Sequence, residues 1–117
     1  MTNPELLQKF FDAENARDWI AFRGYLHPQV MWFLHTEMTH MPVAGREEYM
    51  DRILSGYRTS DATFTCERME VSASGNRIVA FLRNSAGGRS VDIFDFEDGL
   101  IRWEYEYLLD GRLWTGE

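Results

Sequence analysis

Between Thr63 and Leu109 the apolar residues recur at every second position, and three glycine-bearing breaks interrupt the run: Ser74-Gly75-Asn76, Ala86-Gly87-Gly88 and Asp98-Gly99. Side chains alternate across a strand, so this pattern reads as strands over Thr63–Ala73, Arg77–Asn84, Ser90–Phe96 and Leu100–Leu109, each joined to the next by a tight turn. Four hairpin-linked strands make an antiparallel sheet with one apolar face, and the rest of the chain must supply what covers it.

The N-terminal half supplies helices. Asn3-Pro4 combines a cap residue with a first-turn proline, and Leu6, Leu7, Phe10 and Phe11 keep helical spacing to about Ala16. Asp18 caps a shorter segment in which Trp19, Phe22 and Leu26 form one stripe, ending at His27-Pro28. Val30 to Leu34 is short and aromatic, which predicts a strand running into a loop around Met41-Pro42. Gly45 and the acidic Glu47-Glu48 open a third helix, with Tyr49, Ile53 and Tyr57 on its stripe, closed by Gly56 and the Thr59-Ser60-Asp61 turn. At 117 residues, residues 1–117 form one domain of the α+β class: three helices packed on one face of a curved antiparallel sheet.

Charge narrows the partners. Twelve Lys and Arg against nineteen Asp and Glu give a net charge of −7, which disfavours nucleic acid and anionic membrane. No apolar run approaches the length of a membrane span, the longest being Val30 to Leu34. Cys66 is the single cysteine, so neither an internal disulfide nor a zinc cluster is available, in keeping with a cytoplasmic protein. P-loop, dinucleotide and nucleophile-elbow motifs are lacking, so no cofactor is expected.

Several residues carry chemistry by type and position. In the last strand, strict alternation separates Arg102, Glu104, Glu106 and Leu108 from Ile101, Trp103, Tyr105, Tyr107 and Leu109. Pattern alone turns the aromatic face to the core and the charged one to solvent. Asp92 shares a face with Phe94 and Phe96; there it is either poorly solvated, favouring its neutral form, or a strand-end Asp reaching solvent. Arg83 shares a face with Val79 and Phe81 and, by residue type, reads as a surface side chain beside the Asn84 turn. In His35-Thr36-Glu37-Met38-Thr39-His40, His35 and Glu37 share parity while His40 does not, and H-E-x-x-H is not formed, so no metal site is expected. His35 has the type for a general base near neutral pH or for a loop residue at a cavity rim. Trp32 and Leu34 fall on the face opposite His35 unless a bulge or loop intervenes.

Three local patterns in this order resemble the nuclear transport factor two-like superfamily, which includes ketosteroid isomerases, limonene epoxide hydrolases and SnoaL-like polyketide cyclases. They are Asn15-Ala16-Arg17-Asp18-Trp19, Pro42-Val43-Ala44-Gly45-Arg46-Glu47, and the stretch from Asp92 to Ile101. The resemblance implies a cone-shaped, cystatin-like roll with Glu106 pointing into the cone, at the position of the epoxide hydrolases' water-activating carboxylate. Asp92 then matches the hydrogen-bonding acid of ketosteroid isomerases. Arg83 matches the epoxide hydrolases' substrate-binding arginine, although Ser85 stands where their partner acid would be, so limonene epoxide hydrolysis is not expected. His35 and Glu37 fall where those enzymes hold their water.

The function so implied is that of a small-molecule-binding protein whose apolar pocket holds Glu106, Asp92 and His35 as proton-transfer groups. Glu37, Arg83, Trp32 and Glu104 are its ligand contacts. The reactions in reach are isomerisation, dehydration, cyclisation or hydration of a small hydrophobic substrate. Exposed Trp103, Tyr105 and Tyr107 would pair two copies through their sheets as a homodimer. The alternative is a non-catalytic ligand-binding or dimerisation domain.

Overall fold

The computed structural model describes residues 1–36 and 40–109. Helix α1 spans Asn3–Ala16, α2 Trp19–Gly24 and α3 Arg46–Tyr57; the strands are β1 Leu26–His35, β2 His40–Ala44, β3 Phe64–Val71, β4 Arg77–Asn84, β5 Arg89–Glu97 and β6 Leu100–Leu108. They form one six-stranded sheet in the order β2-β1-β6-β5-β4-β3. Neighbours are antiparallel except β1 and β6, which run parallel. Among the described residues no helix is long and apolar enough to cross a membrane.

Local chemistry accounts for the helix ends. Thr2 accepts from the Glu5 amide while Glu5 accepts from the Thr2 amide, a reciprocal cap that starts α1 with Pro4 in its first turn. Arg17 ends α1 in the left-handed region at φ 59°, and the Asp18 side chain caps α2 through the Ala21 amide at 3.2 Å. The buried stripe of α1 sets Phe10 against Phe22 and Phe94, with ring centroids 4.3 and 6.2 Å apart, while Phe11 meets Phe64 at 5.3 Å. These rings close one end of the core.

Two expectations change here. The second helix does not reach Leu26: β1 begins there and passes through His27-Pro28. Its pairing with β6 jumps between Leu26 and Met31, so Pro28, which has no amide to donate, lies in the irregular stretch. The stretch around Met41-Pro42 is not a loop. It is β2, an edge strand, where a proline is tolerated.

The β5–β6 turn fixes the register of everything inward. Asp98 and Gly99 have φ 55° and 74°, the pair of positive values that a two-residue hairpin turn requires. From there Phe96 pairs with Ile101, but Asp95 pairs with Trp103, leaving Arg102 as an extra residue in β6. This bulge reverses the parity of the strand. Ile101 is fully buried and points to the same core as Glu104, Glu106 and Leu108, whereas Trp103, Tyr105 and Tyr107 line the other face. Strict alternation had set Ile101 with the aromatics and Arg102 with the acids. Instead the Arg102 guanidinium lies over the Trp103 ring at 4.2 Å and donates to the Gln29 carbonyl.

A buried carboxyl pocket as the candidate functional site

The inner sheet face carries acids where a core would carry hydrocarbon. Asp92 pairs with Glu106 and Phe94 with Glu104 across β5–β6, while Trp32 and Leu34 of β1 flank Glu104 and Glu106 from the parallel side. Asp92, Glu104 and Glu106 are only 3%, 4% and 4% exposed. One oxygen from each lies within 4.8 Å of the others. Glu14 reaches the same pocket from α1, and Tyr49 from α3. The pocket opens to solvent, with Ile53, Phe64 and Leu82 among its apolar walls.

Neutral donors hold these acids. Trp32 Nε1 donates to Glu106 Oε1 at 3.0 Å, Tyr49 Oη donates to Glu104 Oε1, and Tyr57 Oη donates to Glu14 Oε2 at 2.5 Å. The Ser90 hydroxyl bonds Asp92, yet Asp92 Oδ1 is buried without a partner. Burial, and next the charge of Glu106, push the Asp92 and Glu104 carboxyls well above the usual range. Burial also raises Glu14 to about 7, against the opposing pull of the Tyr57 hydroxyl and Arg17. Tyr49 is raised by its own burial and by facing Glu104. Carboxyls raised in this way are pushed toward their neutral form, which can donate as well as accept.

The cluster brings together four of the residues singled out from sequence: Asp92, Glu104, Glu106 and Trp32. His35 does not join them. Strand β1 is regular from Met31 to His35, so His35 keeps the parity of Phe33 and lies on the outer face. There it stacks on Tyr107 at 4.6 Å, and its Nδ1 lies 2.8 Å from His40 Nδ1. Burial and the neighbouring His40 lower its pKa. Arg83 is likewise outside the pocket, with its side chain 56% exposed and paired at 3.2 Å with Glu67. Its parity with Val79 and Phe81 sends it to the outer face. Glu37 lies outside the described residues.

Glu14 and Tyr49 were not singled out as site residues. Glu14 stands four residues after Phe10 and seven after Leu7, an acid on an apolar helical stripe, and that was its signal. Tyr49 sits on the stripe of α3, where only its hydroxyl distinguishes it from core.

A hard divalent cation accepts carboxyl oxygens at such spacing, but it also keeps waters and demands polar room. Trp32, Phe64 and Leu82 give little of that. His27, Glu97 and Asp98 form a second acidic group, with both acids exposed.

The sequence model of the SnoaL-like domain family matches residues 7–104. No protein of curated function matches the chain in sequence. Among solved structures, Bal32a from a soil-derived mobile gene cassette superposes with a TM-score of 0.83 at 16% identity, over 97% of this chain and 93% of that one. The epoxide hydrolase/cyclase-like enzyme SalBIII, tied to pyran ring formation in the polyether salinomycin, gives 0.76 at 14%, over 93% and 92%. A computationally designed 17-OHP binder gives 0.76 at 18%, over 91% and 90%. At these identities the likeness is one of fold.

Proposed function

The chain belongs to the SnoaL-like domain family, and we propose that it binds a small, mainly hydrophobic organic molecule and moves a proton on it without a cofactor. Glu106 is the base and Asp92 the acid. The observation that carries the reading is the buried cross-strand pair of these two carboxyls in the lining of a pocket with apolar walls. Two like charges cannot both stay ionised there, so one group holds a proton to give while the other takes one. Glu104, fixed by Tyr49, and Trp32, bonded to Glu106, hold the pair in place. Isomerisation, dehydration, cyclisation and hydration are the reactions such a pair serves.

In this reading the protein is a cytoplasmic homodimer joined through its outer sheet faces. Support comes from the aromatic character of that face, where Phe33 stacks on Tyr105 at 5.3 Å and Tyr107 is 40% exposed. A non-catalytic binding domain is the second reading, favoured by one observation: Trp32 and Tyr49 already bond Glu106 and Glu104, as in a network built for stability.

The test is a screen of small cyclic β,γ-unsaturated ketones, epoxides and tertiary alcohols in deuterated water. Product formation or deuterium incorporation that Glu106→Gln abolishes, with the fold intact, is the expected result. Binding without either in any compound overturns the catalytic reading in favour of the second.

A further inference from the structure

The charge arrangement of the pocket selects its ligand. Each hydrogen bond described for the acid cluster comes from a neutral donor: the Trp32 indole, the Tyr49 hydroxyl and the Ser90 hydroxyl. No cation from the elements packed around it bonds Asp92 or Glu104 among the described contacts. From the end of α1, Arg17 donates to the Glu14, Ser60 and Ala62 carbonyls at 3.0, 3.3 and 2.7 Å and lies over the Tyr57 ring. On β5, Arg89 is exposed at the lining of the pocket. From α1 and α3 the groups facing inward are Glu14, Tyr49 and Tyr57, all acids or phenols. Among the described residues of the pocket, Asp92 Oδ1 is buried without a partner, and in its ionised form it is an acceptor that a ligand donor would satisfy.

From this geometry we infer that the ligand is an organic cation: a protonated amine on a compact apolar body, its N–H groups seated on Asp92, Glu104 and Glu106 and its hydrocarbon against Trp32, Phe64 and Leu82. An anionic ligand would add negative charge to a site that already crowds three carboxyls within 4.8 Å. A purely apolar ligand would leave Asp92 Oδ1 dry and unpaired. An ammonium offers up to three donors and a positive charge at once, and it does so within apolar walls that suit a hydrocarbon better than a hydrated metal. Seating it favours the ionised carboxyls, so protons leave the cluster as the cation enters. The inference rests on the proposed function only in placing the ligand in this pocket.

Calorimetric titration with three probes of one shape tests it: cyclohexylmethylamine, cyclohexylmethanol and cyclohexanecarboxylate. The amine is expected to bind about tenfold or more tighter than the alcohol near pH 7, with the carboxylate weakest. Its affinity should rise with pH as the raised carboxyls of the cluster ionise, with proton release seen as a heat that depends on the buffer. Asp92→Asn and Glu104→Gln should each weaken the amine about tenfold, with circular dichroism reporting that the variants fold. Should either variant unfold, the pH dependence and proton release of the unmodified protein decide alone. An alcohol that binds as tightly as the amine, an amine affinity indifferent to pH, binding of none of the three, or Mn²⁺ alone binding and excluding the amine would each overturn the inference. A neutral ketone turned over while the amine is excluded would sink this inference and leave the proposed function standing. An amine bound with no deuterium exchange anywhere in the screen would support it while the catalytic reading falls.

Discussion

Asp92 on β5 stands directly across the ladder from Glu106 on β6, so two carboxyl side chains occupy one cross-strand position of a buried sheet face. Like charges so placed destabilise a sheet, and the conflict is relieved by protonation.

Replacing Asp92 by Asn removes that conflict while keeping the shape. The Asp92 carboxyl is raised in the folded state, so the native protein loses stability as pH climbs above the unfolded value. Asp92→Asn should therefore be more stable than the wild type at pH 8 by on the order of 1 kcal/mol in urea unfolding, with the gap narrowing toward pH 5. A variant less stable at both pH values would refute the account, whatever happens to activity.

Glu14 sets a second pH dependence. Its carboxyl moves from 4.5 to about 7 on folding, so its contribution is complete below about pH 4.5 and is lost as pH rises to about 7. At 1.36 kcal/mol per pH unit that is on the order of 3 kcal/mol. Glu14→Gln should flatten this part of the curve of unfolding free energy against pH. An unchanged slope in the variant would show that other groups carry it.

Tyr49 is 2% exposed, and its hydroxyl donates a hydrogen bond to Glu104. Tyr49→Phe leaves a buried acceptor short of a donor, at a cost of about 1–3 kcal/mol. It also removes an interaction that opposes the upward shift of Glu104. Carbon-13 detected titration of Glu104 should move further up in the variant, and a thermal melt should fall by several degrees.

The outer face should join two copies. Tyr105 sits in its middle, stacked on Phe33. A lysine there would have to lose its water in the interface, so Tyr105→Lys should shift sedimentation from dimer toward monomer at tens of micromolar. A wild type that sediments as a monomer at that concentration would remove the dimer.

How far the sequence could be read depended on where period and register were set locally. The Asp98-Gly99 turn was legible because only a few residue types accept two successive positive φ values, and it delivers Glu106 opposite Asp92. The Arg102 bulge was not legible, since an extra residue leaves no mark in composition. Strict alternation therefore assigned Ile101 to the wrong face even though Glu104 and Glu106 lay together. His35 failed for the opposite reason: the bulge that would have turned it inward is absent from Met31 to His35. Arg83 obeyed its parity, as its residue type suggested, and only the resemblance drew it toward the pocket. Pro42 hid an edge strand, and Pro28 hid the start of β1, because proline marks both loops and tolerated breaks in pairing.

The position of β6 has a consequence for how the molecule comes into being. The last of the described strands, β6, is the seam between β1 and β5. Without it, the inner edges of β1 and β5 have no partner in the sheet, and Glu104 and Glu106 are missing from the pocket. In the sheet order β2-β1-β6-β5-β4-β3 only β6 links the β1–β2 pair to β3, β4 and β5. Joining the sheet around β6 sets Leu34 beside Glu106, a long-range pairing of the kind that closes slowly.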